Sequence, residues 1–259
     1  MEIAAFYENI RTGAEHDGIP MTEAVASLRG AGLQGLYVSC ESTELYADEL
    51  AETVRETGVG IVGLHAWVHF DRDAEEARRA VDRAAELGTD HLLIVPVRAD
   101  HDFEKLIAGV KEAAAYGKSR GVQVCMEDLD QADSPYNSLA GMRTFLDRIP
   151  DLGCCFDTGN WIMHQEDETE AFRELRSRIC AMHLKDRAMT PIHADDAGTK
   201  ILDGSFRYPV PVGKGILRVG EILSGAGDVP VIVELYGYSP AHMLEGIRES
   251  VAWVRNRIP

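Results

Sequence analysis

The sequence predicts an α/β protein folded as a closed (β/α)₈ barrel of parallel strands, and three observations predict it. A short apolar run, a polar patch and an amphipathic segment ending near Gly recur eight times along the chain. Strands alternating with helices over the whole length imply parallel strands joined by right-handed crossovers. The length of 259 residues suits one barrel, typically about 250 residues, with no linker. We therefore expect a single domain over 1–259. The competing open, doubly wound sheet carries a Gly-rich phosphate turn after its first strand, and Tyr7-Glu8-Asn9-Ile10 is not one.

The strand candidates are, in order, Ile3 to Tyr7, Gly35 to Ser39, Gly60 to His65, His91 to Val95, Val122 to Glu127, Gly153 to Asp157, Cys180 to Leu184 and Val231 to Leu235. Most are continuous apolar runs, as expected for strands buried on both faces. Between them, Asp48 to Thr57, Ala74 to Leu87, Phe103 to Arg120 and His242 to Arg257 place apolar residues at spacings of three and four, which predicts helices. Gly58, Gly88 and Gly121 stand where a helix C-terminus favours a left-handed residue. The longest irregular stretch, Arg187 to Gly215, follows the seventh strand, where a barrel places an active-site loop or lid.

Composition narrows the partners. A formal net charge of −17 repels phosphate backbones and anionic lipid, so neither nucleic acid nor a membrane surface is expected to bind. The five cysteines, Cys40, Cys125, Cys154, Cys155 and Cys180, show no CxxC spacing, which argues against a disulfide framework and against a cysteine zinc site. A reducing cytoplasm is the expected location. No basic leader and no span of about 20 apolar residues is present. Self-association into a homo-oligomer is left open.

In a barrel the active site is built at the C-terminal ends of the strands, so the polar side chains that terminate the apolar runs are the candidates. The third strand ends in His65-Ala66-Trp67, the fifth in Glu127-Asp128, the sixth in Asp157-Thr158-Gly159-Asn160, the seventh in His183-Leu184-Lys185-Asp186 and the eighth in Glu234-Leu235-Tyr236. A lone Glu or His at a strand end is commonly an exposed loop residue or a cap. Three carboxylates and a histidine on one rim, without compensating Lys or Arg, repel and raise one another's pKa values unless a cation sits among them. Carboxylate oxygens with one imidazole nitrogen suit one divalent ion, Mn²⁺ or Mg²⁺ first, with Co²⁺ and Zn²⁺ as alternatives.

These pieces carry a resemblance. Val124-Cys125-Met126-Glu127, Phe156-Asp157-Thr158-Gly159-Asn160, Met182-His183-Leu184-Lys185-Asp186, Pro211-Val212-Gly213-Lys214-Gly215 and Ile232-Val233-Glu234 resemble, in order and placement, the xylose isomerase-like TIM-barrel superfamily. That group holds sugar phosphate isomerases and epimerases, ketose 3-epimerases, hydroxypyruvate isomerases, inosose dehydratases and endonuclease IV. The resemblance implies that Glu127, Asp157, His183 and Glu234 bind the metal and that Glu127 and Glu234 double as the catalytic proton-transfer pair. Endonuclease IV shares a histidine at the position of His65 but needs further histidines where this chain has Pro96 and Asn160, so a trinuclear zinc site is not expected. Many ketose epimerases also carry histidine where Asn160 stands, which leaves the substrate open.

The expected activity is a metal-dependent isomerase or epimerase acting on a sugar or related polyhydroxy carbonyl compound, by proton transfer through a metal-stabilised enediolate. The same ligand set also serves a lyase, either an inosose-type dehydratase or a β-eliminating deglycosidase of oxidised sugars. A non-catalytic sugar-binding barrel is the remaining alternative, and it has no need of a second facing carboxylate. His65, Trp67, Asn160 and Lys185 are the substrate-binding candidates: His65 and Asn160 as hydroxyl partners, Trp67 as an apolar wall or as loop packing, Lys185 as a cation for a substrate oxygen or carboxylate. Asp186 and Arg187 are expected to pair with each other or with nearby loops. His164, His193 and His242 read as surface residues.

Overall fold

Eight parallel strands close on themselves in a computed structural model that describes residues 1–73, 75–97, 102–131 and 133–258. They are β1 (Ile3–Phe6), β2 (Gly35–Ser39), β3 (Gly60–Val68), β4 (His91–Pro96), β5 (Gln123–Met126), β6 (Gly153–Asp157), β7 (Ile179–Leu184) and β11 (Val231–Val233). Neighbours follow chain order around the barrel, and β11 closes it between β7 and β1, with Ile3 opposite Val231 and Val231 opposite Met182. The protein is thus a TIM barrel. The eight strand expectations all hold to within three residues at each end, because apolar runs buried on both faces leave few other placements.

Helices cover the outside. The segment predicted over Asp48 to Thr57 is α4 (Ala47–Thr57), Phe103 to Arg120 is α6 (Phe103–Arg120), and His242 to Arg257 is α10 (Met243–Arg255). For the helix predicted over Ala74 to Leu87, Ala74 lies outside the described residues and the rest forms α5 (Glu76–Glu86). Gly58 and Gly121 end α4 and α6 in the left-handed conformation, as the sequence suggests. At the start of α6, Asp102 accepts a hydrogen bond from the Lys105 N–H and satisfies one of the donors that a helix leaves free. Apolar side chains such as Val25, Val81, Val110, Phe145 and Ile247 bury between the helices and the strands. No helix among the described residues is long and apolar enough to cross a membrane.

The stretch Arg187 to Gly215 is irregular over most of its length but not throughout. It contributes to a three-stranded antiparallel sheet of β8 (Asp186–Ala188), β9 (Thr199–Lys200) and β10 (Phe206–Val210), in which β10 lies between the other two. Strands this short give no readable alternation, so the sequence pattern could not disclose them. Asp186 fastens the segment behind this sheet: its carboxylate accepts the backbone N–H groups of Gly213, Gly215 and Leu217 at 2.9, 2.9 and 3.3 Å. Of the two partners the sequence suggests for Asp186, the nearby loop is the one it takes, and its oxygens, engaged by that backbone, make no ion pair with Arg187.

Candidate active site

The ends of β5, β6, β7 and β11 are consecutive around the barrel, and each delivers one polar side chain to the same point. Glu127 follows β5, Asp157 closes β6, His183 is the penultimate residue of β7, and Glu234 follows β11. One ligand atom from each of the four lies within 4.8 Å of all the others. His183 Nδ1 stands 2.8 Å from Glu127 Oε2 and 3.2 Å from Glu234 Oε2.

Local bonding holds these ends in place. The Thr158 backbone N–H donates to the His183 carbonyl at 3.0 Å, while the Thr158 hydroxyl donates to the Lys185 carbonyl at 2.7 Å and accepts the Lys185 N–H at 2.9 Å. This clamp sets Asp157 against His183, which already face each other in register. Beyond β11, the Leu235 N–H donates to the buried side-chain oxygen of Asn9 at 2.9 Å and fixes the turn that carries Glu234. The Gly159 N–H holds Asp157 Oδ1 at 2.6 Å, leaving Oδ2 for the centre. Gly159 must lack a side chain, since a Cβ there would lie 2.8 Å from Lys185 Cγ.

Lys185 changes the charge balance that the sequence suggests. Its ammonium lies 3.0 Å from Asp157 Oδ2 and 2.7 Å from Glu234 Oε1, and donates to Asn160 Oδ1 at 3.0 Å. The three carboxylates are therefore not without a compensating cation, and Lys185 is spent on them rather than free for substrate. Asn160 is spent too, since its amide nitrogen donates to the Asp128 carbonyl at 2.7 Å. Its side-chain oxygen is the one that holds Lys185.

Three carboxylates against one ammonium leave two negative charges on the cluster when the His183 imidazole is neutral, as a metal ligand must be, and one when it is protonated. Burial pushes Asp157 up to about 6, with Glu234 and Glu127 adding to the effect against the pull of Lys185. Burial draws His183 down, but the charges of Glu127 and Glu234 outweigh it and hold the imidazole up at about 10. Glu234 is opposed by its own burial and still held well below the carboxylate range by Lys185 and His183. The cluster is asking for positive charge: Glu127 Oε2, Asp157 Oδ2 and His183 Nδ1 are buried with only the charged contacts of 2.8 to 3.2 Å given above and no well-aligned hydrogen bond, and His183 Nε2 is buried with no partner. Buried carboxylate and imidazole atoms converging on one point with surplus negative charge fit a divalent ion, which would take the place of the imidazole proton. Cys155 also comes within reach of Glu127 and His183, but burial pushes its thiol up to about 12, so it remains a thiol and a poor ligand.

Above the cluster opens a cavity of about 470 Å³. Glu127 and Glu234 border it, whereas Asp157 and His183 are fully buried behind it. All four substrate-binding candidates, His65, Trp67, Asn160 and Lys185, lie on its wall. Trp67 is half exposed at the rim of the cavity. His65 stacks on Tyr37 and points Nε2 at Glu8 Oε2, 3.5 Å away. The three histidines read as surface residues are half-buried and engaged. His164 Nε2 bonds the Leu129 carbonyl at 3.1 Å, and His193 stacks on His242 with Nε2 3.0 Å from the Tyr238 hydroxyl.

Four residues stand at the site without a role there in the sequence reading. Glu8 lies one position past the first strand candidate, so the strand-end rule, applied to β1, would have found it. Asp128 is buried with neither carboxylate oxygen hydrogen-bonded, and burial together with Asp157 and Glu127 pushes its carboxyl well above the usual range. Tyr236 meets the ring of Phe6 edge-on at the cavity wall. Arg187, on β8, also borders the cavity, and no local signal distinguished it.

A model of the xylose isomerase-like TIM-barrel family matches residues 32–257. The chain belongs to that family. No curated protein matches the sequence. Among solved structures, it is similar to a probable 3-DHS dehydratase, AsbF, from Bacillus anthracis, with 16% identity, 99% of this chain, 100% of that chain and a TM-score of 0.72. It is also similar to the IolI protein with a binding zinc atom (14% identity, 98% of each chain, TM-score 0.73). A third is the 3-keto-D-glucoside 4-epimerase YcjR from E. coli (16% identity, 99% of each chain, TM-score 0.69). The chain spans 41% of the length of a further matched structure, a xylose isomerase-like TIM barrel/4-hydroxyphenylpyruvate dioxygenase fusion protein. At these identities the likeness is one of fold. The structural neighbours of this xylose isomerase-like barrel thus include an epimerase, a dehydratase and a zinc-bound protein.

Proposed function

We propose that this protein is a metal-dependent isomerase or epimerase of a sugar or related polyhydroxy carbonyl compound, with Glu127 and Glu234 as the proton-transfer pair. One observation carries the reading: of the four clustered ligands, the two that border the cavity are both glutamates, on strands separated by β6 and β7. A binding protein gains nothing from a second such carboxylate. Glu127, Asp157, His183 and Glu234 would hold one divalent ion, Mn²⁺ or Mg²⁺ by the hardness of three carboxylates, with Zn²⁺ or Co²⁺ as alternatives. When bound, such an ion polarises a substrate carbonyl and offsets the surplus negative charge. Asp157 and His183, buried and without access to the cavity, act only as ligands. Glu127 and Glu234, reaching the cavity from two sides, remove a proton from carbon and return it. Lys185 keeps Glu234 ionised and so available as a base, and Asn160 steadies Lys185. Trp67 and Phe6 supply apolar wall against the sugar carbons and exclude water. The five cysteines are all free, which fits a cytoplasmic protein.

The test is incubation of the Mn²⁺-loaded protein in D₂O with ketoses, aldoses, hydroxypyruvate and oxidised glycosides, followed by NMR. Deuterium should enter at the carbon next to the carbonyl of one substrate. Glu127→Gln and Glu234→Gln should each retain metal and lower turnover by about 10² to 10⁴. If the glutamates work on opposite faces, each variant should still exchange the proton of one stereoisomer. Near wild-type turnover in both metal-loaded variants would remove the proton-transfer reading. The same pair would serve dehydration, as the dehydratase among the neighbours suggests, and loss of water in the product spectrum identifies that outcome.

A further inference from the structure

Arg187 is out of place energetically. It is 3% exposed, on β8, and borders the cavity above the metal-ligand cluster. Among the described residues its guanidinium forms no ion pair and no hydrogen bond, and its Nε is buried without a partner. The nearest acid in sequence, Asp186, has turned to the backbone of Gly213, Gly215 and Leu217. A guanidinium stays charged at any pH a protein tolerates, so it cannot relieve its burial by losing a proton. Buried charge without a partner is strongly unfavourable, and folds retain it where a ligand completes the pair.

We propose that the substrate carries a carboxylate and that Arg187 binds it, making the substrate class an acidic sugar or polyhydroxy keto acid. This rests on the reading that the cavity receives the substrate. The other cation at the site does not compete for the role, because Lys185 is held by Asp157, Glu234 and Asn160. Five donors in a planar fork match a carboxylate through two parallel hydrogen bonds. A phosphate fits less well, since its second negative charge would sit in a cavity already bordered by Glu127, Asp130 and Glu234, with one unpaired cation among the described residues lining it. Asp186 serves the site as a positioning residue. By taking up the backbone of the 213–217 segment it leaves the neighbouring guanidinium unpaired and facing the cavity.

The experiment measures binding by calorimetry to the Mn²⁺-loaded protein and to the metal-free protein, with matched probes. The acids are glucuronate, galacturonate and gluconate, the neutral counterparts are glucose, galactose and sorbitol, and glucose 6-phosphate is the phosphate probe. At least one acid should bind the wild type about 10-fold or more tighter than its neutral counterpart. Arg187→Gln should abolish that preference and leave the neutral affinity unchanged, and Arg187→Lys should recover part of it. With no ligand present, Arg187→Gln should melt no lower than the wild type, since it removes an unpaired buried charge. A fall of several degrees would assign Arg187 to structure and overturn the proposal. Equal binding of acids and neutral sugars, preference for the phosphate, or a preference that survives Arg187→Gln would each overturn it as well. Neutral sugars exchanging deuterium without any preference for acids would sink this proposal and spare the proton-transfer reading. Acids held through Arg187 with no exchange in any substrate would do the reverse.

Discussion

Single side chains set the charge state of the site, and Lys185 matters most among them. It neutralises part of a buried acid cluster, so Lys185→Met should destabilise the metal-free protein by about 3–5 kcal/mol, the usual penalty for stranding buried charge. Added Mn²⁺ replaces the missing positive charge, and thermal melts should show a larger gain from metal in the variant than in the wild type. Equal gains would mean that Lys185 and the metal do not share the same carboxylates. Glu8 offers a second case. Burial pushes its carboxyl up, yet His65, the Ser39 N–H at 2.9 Å and Ser42 hold it down at about 2. A carboxyl depressed on folding stabilises the protein above its unfolded value of 4.5, and that contribution is lost as pH falls from there toward about 2. His65→Ala should raise the Glu8 pKa and move the acid-unfolding midpoint to higher pH. An unmoved midpoint would show that the Glu8–His65 contact at 3.5 Å contributes nothing.

At the level of elements, the β8–β10 sheet replaces the lid that the sequence suggested. It borders the cavity through Arg187 and Thr199, and its connection back to the barrel depends on Asp186. Asp186→Ala leaves three backbone N–H groups of the 213–217 segment without their acceptor, each worth about 1–3 kcal/mol where water cannot replace it. Amide exchange should accelerate in that segment first, ahead of the barrel strands. Uniform acceleration over the whole chain would instead make Asp186 a determinant of global stability. Because β10 is hydrogen-bonded to both β8 and β9, proteolysis within the sheet should differ little with and without substrate.

For the whole molecule, the proposed ligands come from four adjacent strands, so the proposed metal binding would be coupled to barrel closure. An ion that binds only the folded state adds stability by mass action, about 2.7 kcal/mol at a hundredfold excess over Kd. Elemental analysis after loading with Mn²⁺ should approach one metal per chain. His183→Ala should abolish both the stoichiometry and the thermal gain while the metal-free variant keeps its fold, because barrel stability resides in the core. A stoichiometry near three would contradict the ligand set.

The architecture, and the strand ends at which Glu127, Asp157, His183 and Glu234 come together, were legible in the sequence because both are local properties. A buried strand is an apolar run, a strand's last residue faces the barrel mouth, and Glu127, Asp157, His183 and Glu234 each lie at such an end. What the sequence left open concerns partners distant along the chain. Glu8 meets His65 from β1 to β3, Asn160 meets Lys185 from the end of β6 to that of β7, and Asp186 reaches forward to Gly213 and Gly215. The β9 strand, Thr199–Lys200, is shorter than one period of any pattern. Periodicity records which face of an element is buried; it carries no record of which charge across the barrel is already paired. Lys185 and Arg187 stand two residues apart with like charge, and only the folded chain decides that the first is neutralised by Asp157 and Glu234 while the second is left facing the cavity alone.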